Sequence, residues 1–288
     1  MVAGATGALG TELVRSLAER GHEVIAMARR AGDARLDAVR HMIADERVAD
    51  VSDASGLRAA CVGADAVVST VGLTRPTRSV TFEQVDHQGN LALLRAAADE
   101  GVGHFHFVSL AGIEDPGHER VPMMVAKRAF EQDLMAGPIP WSISRPSGFF
   151  WNYGVILQMV REHGTAWLVG DGTAMTTPVD EGDLADAIAD RLGEDDAVFT
   201  VGGPQDLSFR DVAEMAFRVL DRPVRIHHVP PGLARSALAV VRPFDPARYG
   251  LGAFATWVMV TGATADHVGR RELEPWMAAN RDRDFGPL

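Results

Sequence analysis

The chain has 288 residues, 47% hydrophobic and 23% charged, the balance of a folded globular protein of one or two domains. Lysine plus arginine total 28 against 39 aspartates and glutamates, and the resulting net charge of −11 argues against a nucleic-acid partner, which calls for a basic face. The single cysteine, Cys61, excludes a disulfide framework and a cysteine-based zinc cluster, and it fits a reducing, cytoplasmic setting.

Residues 1–3 are apolar and run straight into glycines, as a short strand would. Residues 11–20 read as a helix with Leu13, Val14 and Leu17 on one face, closed by Gly21. Residues 22–28 carry Val24-Ile25-Ala26-Met27, a strand buried on both faces. A weak strand follows at 47–49, a short helix at 57–62, a strand at 65–71 and a helix at 82–100. Glycines at 101 and 103 end that helix; a strand at 105–109, a helix at 121–135 and a strand at 141–145 come next. This alternation predicts an α/β fold with a doubly wound parallel sheet. After Pro146 the rhythm breaks, with helices expected at 183–192, 209–220 and 233–241. Residues 1–150 are expected to form the core that carries this sheet, and 151–288 a smaller substrate-side lobe partly threaded back into it. No run reaches the roughly 18 apolar residues of a membrane span. No charged segment followed by an apolar run opens the chain, so neither a signal peptide nor a membrane partner is expected.

Gly4-Ala5-Thr6-Gly7-Ala8-Leu9-Gly10 follows a strand and opens a helix. In such a loop the first glycine permits the turn, the second lets backbone approach a pyrophosphate, and the third lets helix pack on strand. Only three residues precede Gly4, which leaves a natural start upstream open. Where an acid would bind a ribose 2′-hydroxyl, this chain has Arg29-Arg30. A guanidinium suits a 2′-phosphate, so NADP(H) is preferred over NAD(H). Asp50, at the end of the third strand, is either an acceptor for the adenine amino group or a turn residue.

The motifs Ala3-Gly4-Ala5-Thr6-Gly7-Ala8-Leu9-Gly10, Ala28-Arg29, Ala49-Asp50-Val51, Ser69-Thr70-Val71-Gly72, Val85-Asp86-His87-Gln88-Gly89-Asn90, His106-Phe107-Val108-Ser109, Ala126-Lys127 and Ser144-Arg145-Pro146-Ser147-Gly148 are collinear. Together they resemble the atypical, NmrA-like branch of the short-chain dehydrogenase/reductase superfamily, with its Rossmann core. The resemblance implies that Gly4, Thr6, Gly7, Ala8 and Leu9 wrap the pyrophosphate, with Gly10 completing the loop, and that Arg29, beside Arg30, meets the 2′-phosphate. It implies that Asp50 and Val51 flank the adenine, and that Thr70, Val71 and Gly72 line the cofactor. Ser109 then sits beside the nicotinamide and the substrate, Lys127 holds the nicotinamide ribose, and Pro146, Ser147 and Gly148 lie near the nicotinamide amide.

The superfamily's tyrosine acid stands four residues before its lysine; here that position is Met123, and a thioether donates no proton. The only tyrosines are Tyr153 and Tyr249. Lys127 is the chain's sole lysine, the other 27 basic residues of the 28 being arginine. An ammonium can hold ribose hydroxyls and, when desolvated, relay a proton, which arginine cannot do. Lys127 and Ser109 are therefore the candidate catalytic residues. Asp86 reads as an inter-helix hydrogen-bonding residue. His104 and His106 share a strand face and read as packing residues; no metal site is expected. Met123, His118, Phe149, Trp151 and Tyr153 are the candidate substrate contacts, the aromatic run suggesting an apolar pocket.

These features point to an NADPH-dependent reductase of a small, fairly apolar molecule bearing a carbonyl or an activated double bond. The alternatives are a cofactor-loaded sensor or assembly factor without turnover, and a cyclase or isomerase reusing the same site. No sequence feature supports an oligomer.

Overall fold

The structure, a computed structural model, describes residues 1–74 and 76–285. Two compact units divide the chain. The first comprises Met1–Ser109, Pro122–Arg145 and Leu184–Phe199; the second comprises Leu110–Val121, Pro146–Asp183 and Thr200–Leu288.

The first unit is built on the expected doubly wound α/β pattern. Its strands are β1 (Val2–Ala3), β2 (Val24–Ala28), β3 (Ile43–Val48), β4 (Ala66–Ser69), β5 (His104–Val108), β6 (Trp141–Pro146) and β9 (Ala197–Val201). They form one sheet in the order β3-β2-β1-β4-β5-β6-β9, and every pairing from β3 to β6 is parallel. The order reverses between β1 and β4. In open sheets of this kind, ligands bind beyond the carboxyl ends of the strands at such a reversal. β5 is buried along its whole length, and its Phe105 and Phe107 pack edge-on against Phe130 of α4 (Pro122–Met135).

The two histidines of β5 take the packing role expected of them. His104 Nε2 and His106 Nδ1 share the Ser142 hydroxyl at 2.8 Å each, and His106 Nε2 reaches Ser144 Oγ at 3.0 Å. Burial, with His104 beside it, pushes the His106 imidazole down to about 3. The unfolded chain therefore binds a proton at His106 below roughly pH 6.5 that the folded chain refuses. Stability is expected to fall as pH drops from 7 to 5, by up to about 1.4 kcal/mol per unit from this group. Urea titrations at both pH values should show a slope shallower by up to about one proton in His106→Asn.

Two elements depart from the sequence reading. β3 starts four residues earlier than the strand expected at 47–49 and is an edge strand whose Asp45, Glu46 and Arg47 hide its period. The helix expected at 82–100 is two pieces: a π-helical stretch, Glu83–Gly89, and then α3 (Asn90–Asp99). Asn90 supports the junction by donating to the carbonyls of Val71 and Asp86 at 3.2 and 3.0 Å while its own carbonyl accepts from Ser69 Oγ at 2.6 Å.

In the second unit, β7 (Ala166–Val169) pairs in parallel with β11 (Ile226–Val229), and β8 (Met175–Thr176) pairs antiparallel with β10 (Leu207–Ser208). Its core lies among α5 (Phe150–His163), α7 (Phe209–Val219) and α10 (Leu273–Ala279), centred on Phe150, Leu157 and Phe217. α8 (Pro231–Val241) and α9 (Pro246–Thr261) form a hairpin in which Gly252 makes room for Leu238. Among the described residues no helix is long and apolar enough to cross a membrane.

Candidate functional site

In the first unit, the glycine loop lies at the reversal point of the sheet. Gly4 ends β1 with φ +83°, a left-handed conformation open to glycine, and a Cβ there would meet Thr70 Oγ1 at 2.5 Å. Thr70, just past β4, donates its N–H and hydroxyl to Ala3 O, both at 3.0 Å. Gly10 lies under the loop: a Cβ there would stand 2.2 Å from Gly4 O. The loop tip at Gly7 and Ala8 is exposed. Gly7 caps α1 (Ala8–Glu19) without a side-chain hydrogen bond, and the first turn holds no acid. Open N–H groups at a positive helix end, with Gly7 at the exposed tip, fit a pyrophosphate.

Arg29 and Arg30, beyond β2, are exposed and make no ion pair or hydrogen bond among the described residues. Asp50 Oδ1 accepts from the N–H and the hydroxyl of Ser52 at 2.9 and 2.6 Å, so Asp50 closes a tight turn. Those two bonds, with Arg29 nearby, hold its carboxyl below the usual range. Val51 packs against Gly89, where a Cβ would come within 2.8 Å of it.

A second group gathers along β4 and β5. Lys127, on α4, donates to Val108 O at 3.2 Å and stands 4.9 Å from the centre of the Phe107 ring. It thus reaches the carboxyl end of β5, one residue before Ser109. Ser109 is 4% exposed; its N–H donates to Ser144 O at 2.8 Å, and its Oγ is buried without a hydrogen bond among the described residues. A buried hydroxyl left unpaired is costly, and a bound polar group relieves it. Lys127 Nζ also stands 3.4 Å from Oδ1 of Asp86, which is fully buried. Burial pushes the Asp86 carboxyl up, and the Lys127 ammonium opposes that shift. The exposed backbone of Gly72 faces both groups. Sequence reasoning missed this pairing; its available signal was an acid on a helix otherwise apolar toward the core, in a chain with one lysine. Met123 is half-buried on α4, four residues before Lys127.

The remaining candidates belong to the second unit. Ser147 is buried and donates its hydroxyl to Thr177 O, while Pro146 O accepts from Ala111 N–H at 2.8 Å. Gly148 (φ +153°) lies against Tyr153, where a Cβ would meet the phenol oxygen at 2.7 Å. Phe149 opens α5, its N–H donating to Asn152 Oδ1 at 3.0 Å, and Trp151, two residues on, is half-buried. Tyr153 is buried with its hydroxyl on Thr176 Oγ1, and burial pushes that phenol up to about 12. His118 begins a short 3₁₀ turn and bonds Asp115 O at 2.9 Å. Among the described residues no group of three or more His, Cys, Asp or Glu is arranged to hold a metal ion.

The chain matches the NAD(P)H-binding family over residues 4–195. It is 32% identical over 84% of its length to the chloroplastic divinyl chlorophyllide a 8-vinyl-reductase of Oryza sativa subsp. indica, of which it spans 63%. It thus covers about six-tenths of that relative. It is 31% identical to the (4-alkanoyl-5-oxo-2,5-dihydrofuran-3-yl)methyl phosphate reductase of Streptomyces griseus, over 84% of this chain and 81% of that one. Among solved structures, an Escherichia coli NADPH-dependent quinone oxidoreductase complexed with NADPH superposes with a TM-score of 0.72 at 19% identity, covering 91% of this chain and 88% of that one. The chain belongs to the NAD(P)H-binding family, in its atypical, NmrA-like short-chain dehydrogenase/reductase class.

Proposed function

We propose that this protein is an NADPH-dependent reductase of a small, fairly apolar molecule bearing a carbonyl or an activated carbon–carbon double bond. One observation carries the reading: Lys127 and the unpaired Ser109 hydroxyl converge on the end of β5, in the same unit as an uncapped glycine loop. Two relatives named as reductases of unsaturated or carbonyl-bearing compounds support the substrate class.

The first unit takes the cofactor. The loop 4–10 binds the pyrophosphate; Arg29 and Arg30 meet the 2′-phosphate; Asp50 and Val51 flank the adenine; Thr70, Val71 and Gly72 line the path. Pro146, Ser147 and Gly148 orient the nicotinamide amide. The cofactor supplies the hydride. Ser109 donates a hydrogen bond to the acceptor oxygen and so polarises it. Lys127 holds the ribose hydroxyls and delivers the proton that Met123 cannot. The proposed substrate contacts are Met123 in the first unit and His118, Phe149 and Trp151 in the second, where Tyr153 is buried with its hydroxyl on Thr176.

Calorimetric titration with NADPH and then NADH at one salt concentration tests this. NADPH is expected to bind at least about tenfold more tightly, a gap of about 1.4 kcal/mol. Arg29→Ala should close most of that gap while leaving NADH affinity unchanged, since NADH has no 2′-phosphate to lose. Binding of neither nucleotide overturns the proposal. Equal affinity for NADPH and NADP⁺ with no oxidation of NADPH by any carbonyl or enone replaces it with a cofactor-loaded sensor, the reading that Met123 favours.

A further inference from the structure

Asp86 is fully buried, on the one π-helical stretch among the described residues. π-helical turns widen the backbone and recur at functional sites. Its Oδ2 accepts the Leu73 N–H at 3.0 Å. Its Oδ1 has no hydrogen bond among the described residues and lies 3.4 Å from Lys127 Nζ. A carboxyl removed from bulk solvent, with one oxygen lacking a hydrogen bond among the described residues, is costly unless a cation answers it.

The other charged groups nearby turn elsewhere. His87, the next residue, spends Nδ1 on Glu83 at 2.8 Å and Nε2 on Asp133 at 2.7 Å. What faces the Asp86 carboxyl is therefore the Lys127 ammonium from α4, the Leu73 N–H, and the backbone of Gly72. A Cβ on Gly72 would stand 3.3 Å from Asp86 Oδ1 and 3.5 Å from Lys127 Nζ. Lys127, 12% exposed, is the member of the pair that reaches toward solvent. An ammonium has three protons. One goes to Val108 O; Asp86 Oδ1 stands at ion-pair distance, 3.4 Å, and the rest of the ammonium's donor capacity has no hydrogen bond among the described residues.

We propose that Asp86 is the positioning residue of Lys127: its carboxylate fixes the ammonium beside Gly72 at the end of β5. When Lys127 protonates an acceptor, an N–H bond breaks and its electron pair stays on nitrogen. A water on the solvent side of Lys127 then gives up a proton, its electron pair staying on oxygen, and the N–H bond re-forms, while Asp86 stays ionised and keeps the nitrogen in place. No oxidant or reductant enters these steps. The proton transfer rests on the reductase reading above; the pairing does not.

Because Lys127 is the chain's only lysine, protein grown on lysine labelled with ¹³C at Cε gives one lysine signal, and its pH titration reads this ammonium alone. In the full chain the signal is expected to show two inflections, the lower reporting the Asp86 carboxyl. In Asp86→Asn, which keeps an acceptor for the Leu73 N–H, the lower inflection should vanish. The chemical shift of the Lys127 Cε at neutral pH should move as well, because the ammonium loses the carboxylate that seats it. Asp86→Glu should restore two inflections. A single inflection in the unaltered protein overturns the proposal, and this holds even if the variants fail to fold. Titration with NADPH separates the two readings: two inflections without NADPH binding keep the pair and remove the reductase, whereas NADPH binding with one inflection does the reverse.

Discussion

Gly10→Ala is expected to abolish measurable NADPH binding and to destabilise the protein by about 3 kcal/mol, the upper part of the range for forced overpacking. The added methyl would lie 2.2 Å from Gly4 O and 2.8 and 2.9 Å from the Cα and C of Ala5. All three are backbone atoms, so no side chain can swing aside. The N-terminus of α1 has to withdraw from the loop, and with it the N–H groups proposed to meet the pyrophosphate. Gly7→Ala separates the two effects. Its methyl meets Gly4 O at 3.4 Å, an ordinary contact, and φ at Gly7 is −76°, which alanine adopts without strain. That variant should melt like the unaltered protein in urea, yet lose about tenfold or more in NADPH affinity, because its methyl occupies the tip where the phosphates approach. Equal affinities for NADPH in Gly7→Ala and the unaltered chain would remove the loop from the cofactor site.

The contrast between these glycines shows what was legible in the sequence. Spacing told that three glycines form a loop between a strand and a helix, since turn, approach and packing each demand a missing Cβ. The first unit was readable because its buried strands, such as Val24–Ala28, are runs of apolar residues bounded by glycines. Three elements hid for physical reasons. α5 carries Phe150, Tyr153, Ile156, Leu157 and Val160 inward, but Trp151, Val155 and Met159 also sit on it, so no polar face marks a helical period. α9 read only as a run too short for a membrane. β3 is an edge strand in which charge pairs replace alternation. The π-helical stretch is invisible to periodicity, because 82–100 scans as one continuous helix. Asp86 lies buried within that stretch, so the Asp86–Lys127 pair appears only with the backbone. The roles of Lys127 and Ser109 came from a resemblance of motifs; their convergence on one strand end came from the sheet register, in which Val108 pairs with Ser144.

Removing the carboxylate of Glu131 is expected to be the most damaging single change in the first unit that leaves the glycine loop intact. Glu131 is fully buried on α4, one turn after Lys127. Arg145 of β6 grips it with both fork nitrogens, Nε to Oε1 at 3.0 Å and Nη2 to Oε2 at 2.7 Å, and Arg128 adds Nη1 to Oε2 at 2.9 Å. The Arg145 side chain is only 13% exposed, so this is a largely desolvated pair, in which loss of one partner costs far more than the pair itself gains. Breaking such a pair typically costs about 3–5 kcal/mol. Arg128 is 26% exposed and can turn to water, which places Glu131→Ala near the lower end. Glu131→Gln keeps two acceptor lone pairs but loses the charge, and should fall between the two. Urea unfolding at pH 7 measures both. Replacing Glu131 and Arg145 together by methionine should recover most of the loss, because it removes both charges of the desolvated pair at once. The same variants bear on function. Glu131 ties α4 to β6, and α4 carries Lys127 to β5, so a helix freed at Glu131 lets the ammonium drift from Val108 O. Glu131→Ala should therefore broaden or shift the single lysine signal, and the double methionine variant should restore it along with stability. If stability returns while the Lys127 signal stays displaced, the charge on Glu131 itself, and not the seating of α4, sets the state of the lysine.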